Sequence, residues 1–295
     1  MVLCGTESHW VALCRTGSHW MWGTWAVRSA ELHTTLLGEW AVAGGVGCEP
    51  MLIIGHRGAS GTCAEHTARA MRAALAQGAD GIECDVRLTA DGHLVCLHDP
   101  VLDRVSNGTG RVSSHTLAQL RELNIGDDTV EPVLTFAELL DIYEAYPGAH
   151  LFVETKHPTR FGGRVERALV RMLTARGLAS SPRVHIISFS PWSLWRVRRL
   201  APQLDVIWLH RDLLWPVSAV LHRWVPFGYG ANIDVIARRS AALRSIDGPR
   251  YCYTANTREQ ILAAAQAGMA YLATDFPADA ARILTAGDTT GAHEE

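Results

Sequence analysis

The stretch LIIGHRGASG, residues 52–61, joins an apolar run directly to two cationic side chains. Leu52, Ile53 and Ile54 predict a short strand, because a continuous aliphatic run is typical of a strand that is buried on both faces. His56 and Arg57 follow at its carboxyl end, where parallel α/β folds expose the residues that carry chemistry. The stretch therefore predicts a parallel strand that ends at a functional site.

Strand and helix patterns alternate over most of the chain outward from this stretch. Eight short runs predict strands at residues 52–55, 81–88, 150–154, 184–189, 206–209, 230–236, 250–254 and 270–274. Apolar residues at helical spacing predict helices at residues 66–77, 164–176, 191–200, 258–267 and 278–285. An open doubly wound sheet is the alternative, but neither G-x-G-x-x-G nor G-x4-G-K-[ST] is present. We therefore expect an α/β fold, a (β/α)8 TIM-type barrel.

Composition and charge exclude several classes of protein. The chain has 295 residues, of which 48% are hydrophobic and 19% are charged, so it can bury a large core. The formal net charge is -3 and there is no basic tract, which disfavours nucleic acid as a partner. The 7 cysteines include no C-x-x-C pair, which favours free thiols in a reducing cytoplasm. No apolar run reaches roughly 18 residues, so we expect no membrane span. The sequence indicates no oligomeric state.

The first fifty residues differ in character from the rest. CGTESHW, residues 4–10, is echoed by CRTGSHW, residues 14–20, and no basic segment followed by an apolar run marks a signal peptide. The repeated C-x4-H pattern matches no structural zinc spacing. We expect residues 1–50 to be an atypical, poorly ordered extension, residues 51–286 to form the catalytic barrel, and residues 287–295 to form a tail.

Carboxylates collect at the ends of the second and third predicted strands. Glu83 and Asp85 are two residues apart, so their side chains leave the same face of a strand. Glu154 and Lys156 repeat this spacing on the third strand. Carboxylates that share one buried face repel each other unless protons or a cation relieve them. Three of them favour an oxygen-rich site for one divalent cation, Mg²⁺ or Ca²⁺.

A hairpin is predicted to bring a histidine to this acidic face. In GIECDVRLTADGHLVCLHDP, residues 81–100, the pair Asp91-Gly92 is typical of a two-residue turn. Counting outward from this turn places Asp85 opposite His98, although a one-residue bulge would shift the register. With this register, the hairpin itself places His98 beside Glu83 and Asp85.

The cationic and imidazole side chains at these strand ends suit phosphate chemistry. An imidazole ordinarily titrates near neutral pH, so histidines such as His56 and His98 are candidates for general acid–base catalysis. Arg57 and Lys156 add positive charge that a phosphate group would use. Each also has a structural interpretation, such as an ion pair between Lys156 and Glu154. Convergence at three successive strand ends favours metal-assisted cleavage of a phosphate ester.

Four motifs in order resemble those of the glycerophosphodiester phosphodiesterase family. They are HRGASG, GADGIECDVRLTADGHLVCLHDPVLDRVSNGTGRV, FVETKHP and TDFP, and the similarity spans residues 52–285. The resemblance implies a TIM-type barrel with a small insertion near residues 98–133, after the second strand. It also implies hydrolysis of glycerophosphodiesters, which are small molecules, to glycerol 3-phosphate and an alcohol, aided by a divalent cation.

The resemblance assigns a role to each candidate residue. His56 and His98 become the acid–base pair. The metal ligands become Glu83, Asp85 and Glu154, the phosphate contacts become Arg57 and Lys156, and the supporting residues become Glu65, Tyr253 and Asn256.

The chain departs from the family pattern at two of its motifs. Residues 64–67 are AEHT where the family usually has P-E-N-T, so the loop lacks its proline and His66 replaces an amide. Residues 253–256 are YTAN where many members have W-T-V-N, which keeps an aromatic face at Tyr253. The tyrosine leaves the preferred leaving group open.

Two alternatives to this function stay open at the level of sequence. The segment LLWPVSAVLHRWVPFGYGA, residues 213–231, carries Trp215, Trp224 and Phe227, which we interpret as core. If they formed an apolar rim instead, a lysophospholipase-D-like or phospholipase-C-like enzyme acting on lipid substrates would be favoured. A phosphate-ester binding module without activity is the other alternative, and the complete set of site residues argues against it.

Overall fold

The computed structural model describes residues 2–6, 9–16, 19–25, 50–210, 227–243 and 248–289. The chain divides into two compact units, Met1–Gly47 and Cys48–Glu295. In the first unit, an antiparallel sheet has the strand order Val2–Thr6, His9–Thr16 and His19–Trp25. Poor order of the extension as a whole stays a prediction.

Eight parallel strands of the second unit close into a barrel. They are β1 (Leu52–Gly55), β2 (Gly81–Leu88), β3 (His150–Thr155), β4 (Val184–Ser188), β5 (Asp205–His210), β6 (Gly228–Asn232), β7 (Arg250–Tyr253) and β8 (Tyr271–Thr274). Each strand pairs with the next, and β8 pairs with β1 to close the sheet. The predicted (β/α)8 TIM-type barrel is therefore confirmed.

Helices connect successive strands around the barrel. They are Ala68–Ala76, Phe136–Glu144, Arg164–Ala175, Pro191–Leu200, Ile233–Leu243, Arg258–Gln266 and Pro277–Thr289. Three of them begin where a threonine hydroxyl accepts a hydrogen bond from a backbone N–H of the first turn, at Thr67, Thr135 and Thr257. Residues 211–226, between β5 and β6, lie outside the described residues.

Two predicted boundaries are wrong. The sixth strand was expected to run from residue 230 to residue 236, but it ends at Asn232 and a helix begins at Ile233. The side chain of Asn232 accepts a hydrogen bond from the backbone N–H of Asp234 at 2.8 Å, which favours a helix start over a longer strand. The last helix was expected to end at residue 285, but it reaches Thr289. The boundary between the barrel and the C-terminal tail stays a prediction.

The insertion after the second strand is present as predicted and has its own small core. Its first element, strand Leu94–Cys96, pairs antiparallel with β2, and a 3-10 turn at Val112–Ser114 and a short helix at Leu117–Arg121 follow. Its core consists of seven buried aliphatic side chains, Val95, Leu97, Leu102, Val112, Leu120, Ile125 and Val133. This packing fixes the loop that carries His98 at the mouth of the barrel.

Alternation along β2 places its acidic residues inside the barrel. Ile82, Cys84 and Val86 pack against the surrounding helices. Glu83 and Asp85, between them in sequence, therefore point inward. Seven buried side chains form an apolar cluster in the interior, Ile54, Phe152, Ile187, Ile207, Leu209, Tyr251 and Ala273. The acidic face of β2 contrasts with this apolar cluster.

The structure bears on two further expectations. Phe227 is buried in the core, as interpreted, whereas Trp215 and Trp224 lie outside the described residues. Cys84, Cys96 and Cys252 are buried free thiols. Among the described helices, none has both the length and the apolar character that crossing a bilayer requires.

Two hydrogen-bonded histidines at the amino end of the barrel strands, His150 and His185, should make the stability of the protein depend on pH. His150 Nδ1 lies 3.0 Å from His185 Nε2, and His185 Nδ1 donates to Asp205 at 2.7 Å. Burial, followed by the charges of His185 and Arg183, lowers the pKa of His150 to about 4. An unfolded histidine has a pKa of about 6.5 and so binds more protons below that pH. The free energy of unfolding should therefore fall as the pH falls from about 6.5 towards about 4.

Urea unfolding at about pH 7 and about pH 5 measures this effect. Between these two pH values, the free energy of unfolding of the wild-type protein should fall by about 1 kcal/mol more than that of a His150→Asn variant. This figure allows for solvent screening at the half-buried site. Equal losses in the two proteins would show that His150 does not contribute to the acid sensitivity.

Candidate active site

Three carboxylates meet inside the carboxyl end of the barrel. Asp85 of β2 lies directly opposite Glu154 of β3, and Glu83 is the preceding inward residue of β2. One oxygen atom of each carboxylate lies within 4.8 Å of the others, and all three side chains are buried. The cluster is the one that the spacing of the acidic residues predicts.

The electrostatics of this cluster call for a cation. Burial, and then the charge of Asp85, raises the pKa of Glu83 well above its usual value. The same two causes raise the pKa of Glu154 to about 8. Burial opposes ionisation of Asp85 as well, but Lys156, His66 and other nearby cations hold its pKa below its usual value. Ionisation of the two glutamates is therefore disfavoured in this cluster, and a bound cation would offset that cost.

The donor atoms fit a hard divalent cation. Asp85 Oδ2 is buried and accepts no hydrogen bond from the described residues. Carboxylate oxygens are the ligands that Mg²⁺ and Ca²⁺ prefer, whereas Zn²⁺ favours nitrogen and sulfur. Among the described residues, Glu83, Asp85 and Glu154 form the one cluster of three close acidic, histidine or cysteine ligands.

The two predicted phosphate contacts border the carboxylates. Arg57 donates its backbone N–H to Glu83 at 3.0 Å, and its Nε atom lies 3.4 Å from Asp85. Lys156 Nζ lies 2.9 Å from Asp85 and 2.8 Å from Glu154. Burial opposes the charge of both cations, but these carboxylates raise the pKa of each above its usual value. Both side chains are therefore fully charged at the edge of the acidic cluster.

A hydrogen-bond network of residues that follow β1, β7 and β8 holds His56 in place. Its Nδ1 atom donates to Asp275 Oδ1 at 2.7 Å, because a carboxylate can only accept. Ser60 donates to the same oxygen at 2.9 Å, and Asn256 Nδ2 donates to Asp275 Oδ2 at 2.6 Å. Burial opposes the charge of Asp275, but these hydrogen bonds keep its pKa below its usual value. The network fixes the tautomer of His56 and leaves Nε2 available at the mouth.

The predicted hairpin register is wrong by one residue. Thr89 pairs with His93, so the loop contains three residues, and Gly92 adopts the left-handed conformation with φ of 92°. This is the turn-plus-bulge geometry that adds one residue to a two-residue hairpin. Asp85 is consequently opposite Leu97, whose N–H donates to the Asp85 carbonyl at 3.0 Å. His98 lies one residue beyond the predicted position.

His98 nevertheless reaches the site because a second network holds it. Its Nδ1 atom donates to Asp99 at 2.7 Å, and Arg104 donates to the same carboxylate at 2.6 Å. Arg87 donates to the backbone carbonyl of His98 at 2.9 Å. Burial lowers the pKa of His98, although the charge of Asp85 opposes that shift. His56 and His98 thus each form a pair with a carboxylate through Nδ1.

The supporting residues act at different points of the mouth. Glu65 accepts hydrogen bonds from Arg57 at 3.2 Å and from Arg104 at 2.7 Å, and thereby links Arg57 to the network around His98. Asn256 orients Asp275, as described above. The hydroxyl of Tyr253 donates to the backbone carbonyl of His210 at 2.8 Å, so its ring borders the β5–β7 side of the mouth.

His66 is part of the scaffold of the acidic cluster. Its ring is fully buried, and Nε2 accepts a hydrogen bond from the backbone N–H of Asp85 at 2.9 Å. Burial lowers its pKa. Its φ of 60° and that of Arg57, 56°, are left-handed conformations that residues other than glycine rarely adopt and that cluster at functional sites.

Asp99, Arg104 and Asp275 of these networks had no role in the sequence interpretation. Each lies inside a quoted motif, TDFP for Asp275 and the long HDP-containing segment for the other two. An acidic residue directly after a catalytic histidine candidate is the local signal that indicates Asp99. Arg104 and Asp275 act through tertiary contacts, so spacing alone could not identify them.

Comparisons with known proteins agree with this site. The model of the glycerophosphoryl diester phosphodiesterase family matches residues 56–279. A Mycobacterium tuberculosis protein named "Probable glycerophosphodiester phosphodiesterase 1" is 36% identical over 262 residues, which cover 81% of this chain and 94% of that protein. A Bacillus subtilis glycerophosphodiester phosphodiesterase is 33% identical over 66% of this chain and 72% of its own length.

Solved structures share the same fold. A phosphodiesterase of Oleispira antarctica, solved in complex with the product sn-glycerol-3-phosphate, aligns with a TM-score of 0.71 and 22% identity. The alignment covers 80% of this chain and 97% of that one. The family match covers most of the barrel, and the residues of its motifs meet at one end of it. The chain belongs to the glycerophosphoryl diester phosphodiesterase family.

Proposed function

We propose that this protein hydrolyses glycerophosphodiesters to glycerol 3-phosphate and an alcohol, using one divalent cation and two histidines. The observation that carries the proposal is the buried cluster of Glu83, Asp85 and Glu154, bordered by Arg57 and Lys156. The relatives named for this activity and the glycerol 3-phosphate complex of the Oleispira antarctica structure support the substrate class.

Glu83, Asp85 and Glu154 would hold the cation, Mg²⁺ or Ca²⁺, through their inward oxygens. When bound, such an ion supplies a Lewis acid that polarises a phosphoryl oxygen. Arg57 and Lys156 lie beside these carboxylates and would offset the negative charge of the phosphodiester. Because the cation would draw Asp85 and Glu154 towards itself, Lys156 becomes available to the substrate.

His56 and His98 would move the protons of the reaction. One accepts a proton from the attacking oxygen, which belongs to water or to a glycerol hydroxyl, and the other donates a proton to the leaving alcohol. Their pairing with Asp275 and Asp99 supports this division, because both Nδ1 atoms are committed and both Nε2 atoms remain available. The arrangement follows the same logic as other histidines oriented by a carboxylate.

Removing the carboxylate behind His56 should slow turnover without weakening substrate binding. An Asp275→Asn variant keeps the shape of the side chain but can donate to Nδ1, which favours the wrong tautomer of His56. We expect kcat to fall by about tenfold or more with KM little changed. A Ser60→Ala variant, which removes one hydrogen bond to the same carboxylate, should show a smaller loss. An unchanged kcat in Asp275→Asn would show that Asp275 does not position His56.

Reducing conditions in the cytoplasm are part of the same proposal. Cys84, Cys96 and Cys252 are buried in the barrel as free thiols, which suits a reducing compartment. Activity should accordingly not depend on oxidation of the protein.

Release of glycerol 3-phosphate from glycerophosphocholine and glycerophosphoethanolamine tests the proposed function. A coupled dehydrogenase assay should detect this product with both substrates, and free choline should appear in equal amount with the first. Formation of phosphocholine, or turnover confined to lysophosphatidylcholine in vesicles, would contradict the proposal. The second result would indicate the lipid-directed alternative.

A further inference from the structure

A second cavity opens beside the acidic cluster. It has a volume of about 70 Å³ and lies between β2, the insertion and the loop after β3. One water-sized group needs about 15 Å³ of such volume, so the cavity has room for about five groups of this size. A small headgroup such as a carboxylate or a phosphate would fit.

The polar lining of this cavity is strongly basic. Arg87, Arg111, Arg160 and Lys156 line it, and no described carboxylate does. We call this space, bounded by these four side chains, the arginine cavity. Its charge is of one sign, although the chain as a whole has a formal net charge of -3.

No described carboxylate forms an ion pair with the three arginines of the cavity. Arg87 donates to the backbone carbonyl of His98 at 2.9 Å, and Arg160 donates to the Ser114 hydroxyl at 3.4 Å. Arg111 forms no ion pair with any described residue. An anion in this space would therefore gain charge-assisted hydrogen bonds that no side chain of the described part of the chain supplies.

The other arginines of the mouth differ in this respect. Arg57 and Arg104 both donate to Glu65, and Arg104 also donates to Asp99. Their charges are matched by carboxylates inside the protein, whereas Arg87, Arg111 and Arg160 form no ion pair with a described residue. The contrast points to a ligand, because unmatched cations that converge on a concave space are typical of anion sites.

Two residues connect the arginine cavity to the reaction centre. Lys156 lines the cavity and also contacts Asp85 and Glu154. Arg87 follows Asp85 by two positions on β2, so it leaves the same face one step closer to the mouth. A group bonded to the phosphorus at the acidic cluster would reach the cavity if it pointed towards Lys156 and Arg87.

We propose that the arginine cavity is the subsite for the leaving alcohol and that it favours alcohols carrying a carboxylate or a phosphate. The inference rests on the proposed function. The glycerol end of the substrate is the weaker candidate for this space, because its two hydroxyls are neutral and gain little from three guanidinium groups. The alcohol is the part of the substrate whose charge varies from one glycerophosphodiester to another.

Three matched esters of glycerol 3-phosphate test the preference. Their alcohols are propanol, 3-hydroxypropionate and 3-hydroxypropyl phosphate, which share a three-carbon chain and differ in charge. We expect kcat/KM to be about tenfold higher for each anionic ester than for the propyl ester, as one or two charge-assisted hydrogen bonds would provide. The advantage should shrink as ionic strength rises, because these side chains are partly exposed to solvent.

An Arg111→Ala, Arg160→Ala double variant tests the cavity itself. Neither residue belongs to the catalytic machinery, so turnover of the propyl ester should stay near the wild-type value. The ratio of kcat/KM for each anionic ester to kcat/KM for the propyl ester should fall towards one. Because this ratio is compared between proteins, intrinsic differences in reactivity between the leaving groups cancel. Arg171→Ala is the matched control, since it removes an exposed arginine of the helix Arg164–Ala175 that does not line the cavity. Its preference should equal that of the wild type.

Direct binding separates failure of the subsite from failure of the proposed function. By calorimetry, 3-hydroxypropyl phosphate should bind the wild type about tenfold more tightly than the double variant. A preference that survives in the double variant, or equal binding of this alcohol to both proteins, would overturn the subsite. Hydrolysis of none of the three esters, with the binding difference intact, would overturn the proposed function and leave an anion site.

Discussion

Replacing His56 or His98 by alanine is expected to lower kcat for glycerophosphocholine by at least roughly 10²–10⁴-fold. Each histidine is held by a carboxylate through Nδ1 and has its Nε2 atom available at the mouth. Loss of either ring would remove one of the two proposed proton transfers. Steady-state kinetics with purified variants measure the effect.

A histidine outside the site provides the control for these variants. His93 lies on the turn of the hairpin and is largely exposed, so His93→Ala should keep nearly full activity. If His56→Ala or His98→Ala retained turnover near the wild-type value, that residue would have no part in proton transfer. A similar loss in all three variants would indicate a defect of folding rather than of chemistry.

The second large effect is expected from neutralising the acidic cluster. Glu83→Gln, Asp85→Asn and Glu154→Gln each replace a carboxylate by an amide of nearly the same shape. Each should weaken binding of Mg²⁺ or Ca²⁺ by about 100-fold or more and reduce kcat accordingly, because ligand charge dominates the affinity of such sites. Calorimetric titration with each ion and assays over a range of ion concentration measure both quantities.

Stability distinguishes the members of the cluster in the absence of metal. Burial and the charge of Asp85 raise the pKa values of Glu83 and Glu154, so an amide at either position removes an unfavourable buried charge and should leave the melting temperature unchanged or higher. Asp85 contacts both Lys156 and Arg57, so Asp85→Asn removes a carboxylate partner from each of these two cations and should destabilise the protein. Glu122→Gln, at an exposed site, is the control and should alter neither property. Unchanged metal affinity in all three amide variants would rule out the cluster as the cation site.

The barrel and its acidic cluster could be predicted because their signals are local. A parallel barrel strand is short and apolar, and a glycine or a capping residue marks the next helix, so alternation along the chain indicates the fold. Two acidic residues separated by one position share a face of any strand, which is why Glu83 and Asp85 were predicted together. Their partner Glu154 follows from the neighbouring position of the second and third strands in such a barrel.

The errors arose where one residue changes the outcome or where contacts are distant in sequence. The Asp91-Gly92 pair suits a two-residue turn, but hydrogen bonding between Thr89 and His93 selects a three-residue loop and shifts the register. Residues 233–236 are apolar enough for either a strand or a helix, and tertiary packing of Ile233 and Ile236 in the helical layer decides. Asp275 acts on a histidine 219 residues earlier in the chain, a contact that only the closed barrel creates.

The central claim is that phosphodiester hydrolysis here depends on a divalent cation held by the three carboxylates. The most direct test is glycerol 3-phosphate release by the full chain after removal of divalent ions, confirmed by elemental analysis, and again after Mg²⁺ or Ca²⁺ is added back. We predict that activity is lost on removal and restored as one ion per chain binds, and that Glu83→Gln is not restored at the same concentration. Undiminished turnover by the metal-free protein would contradict the account.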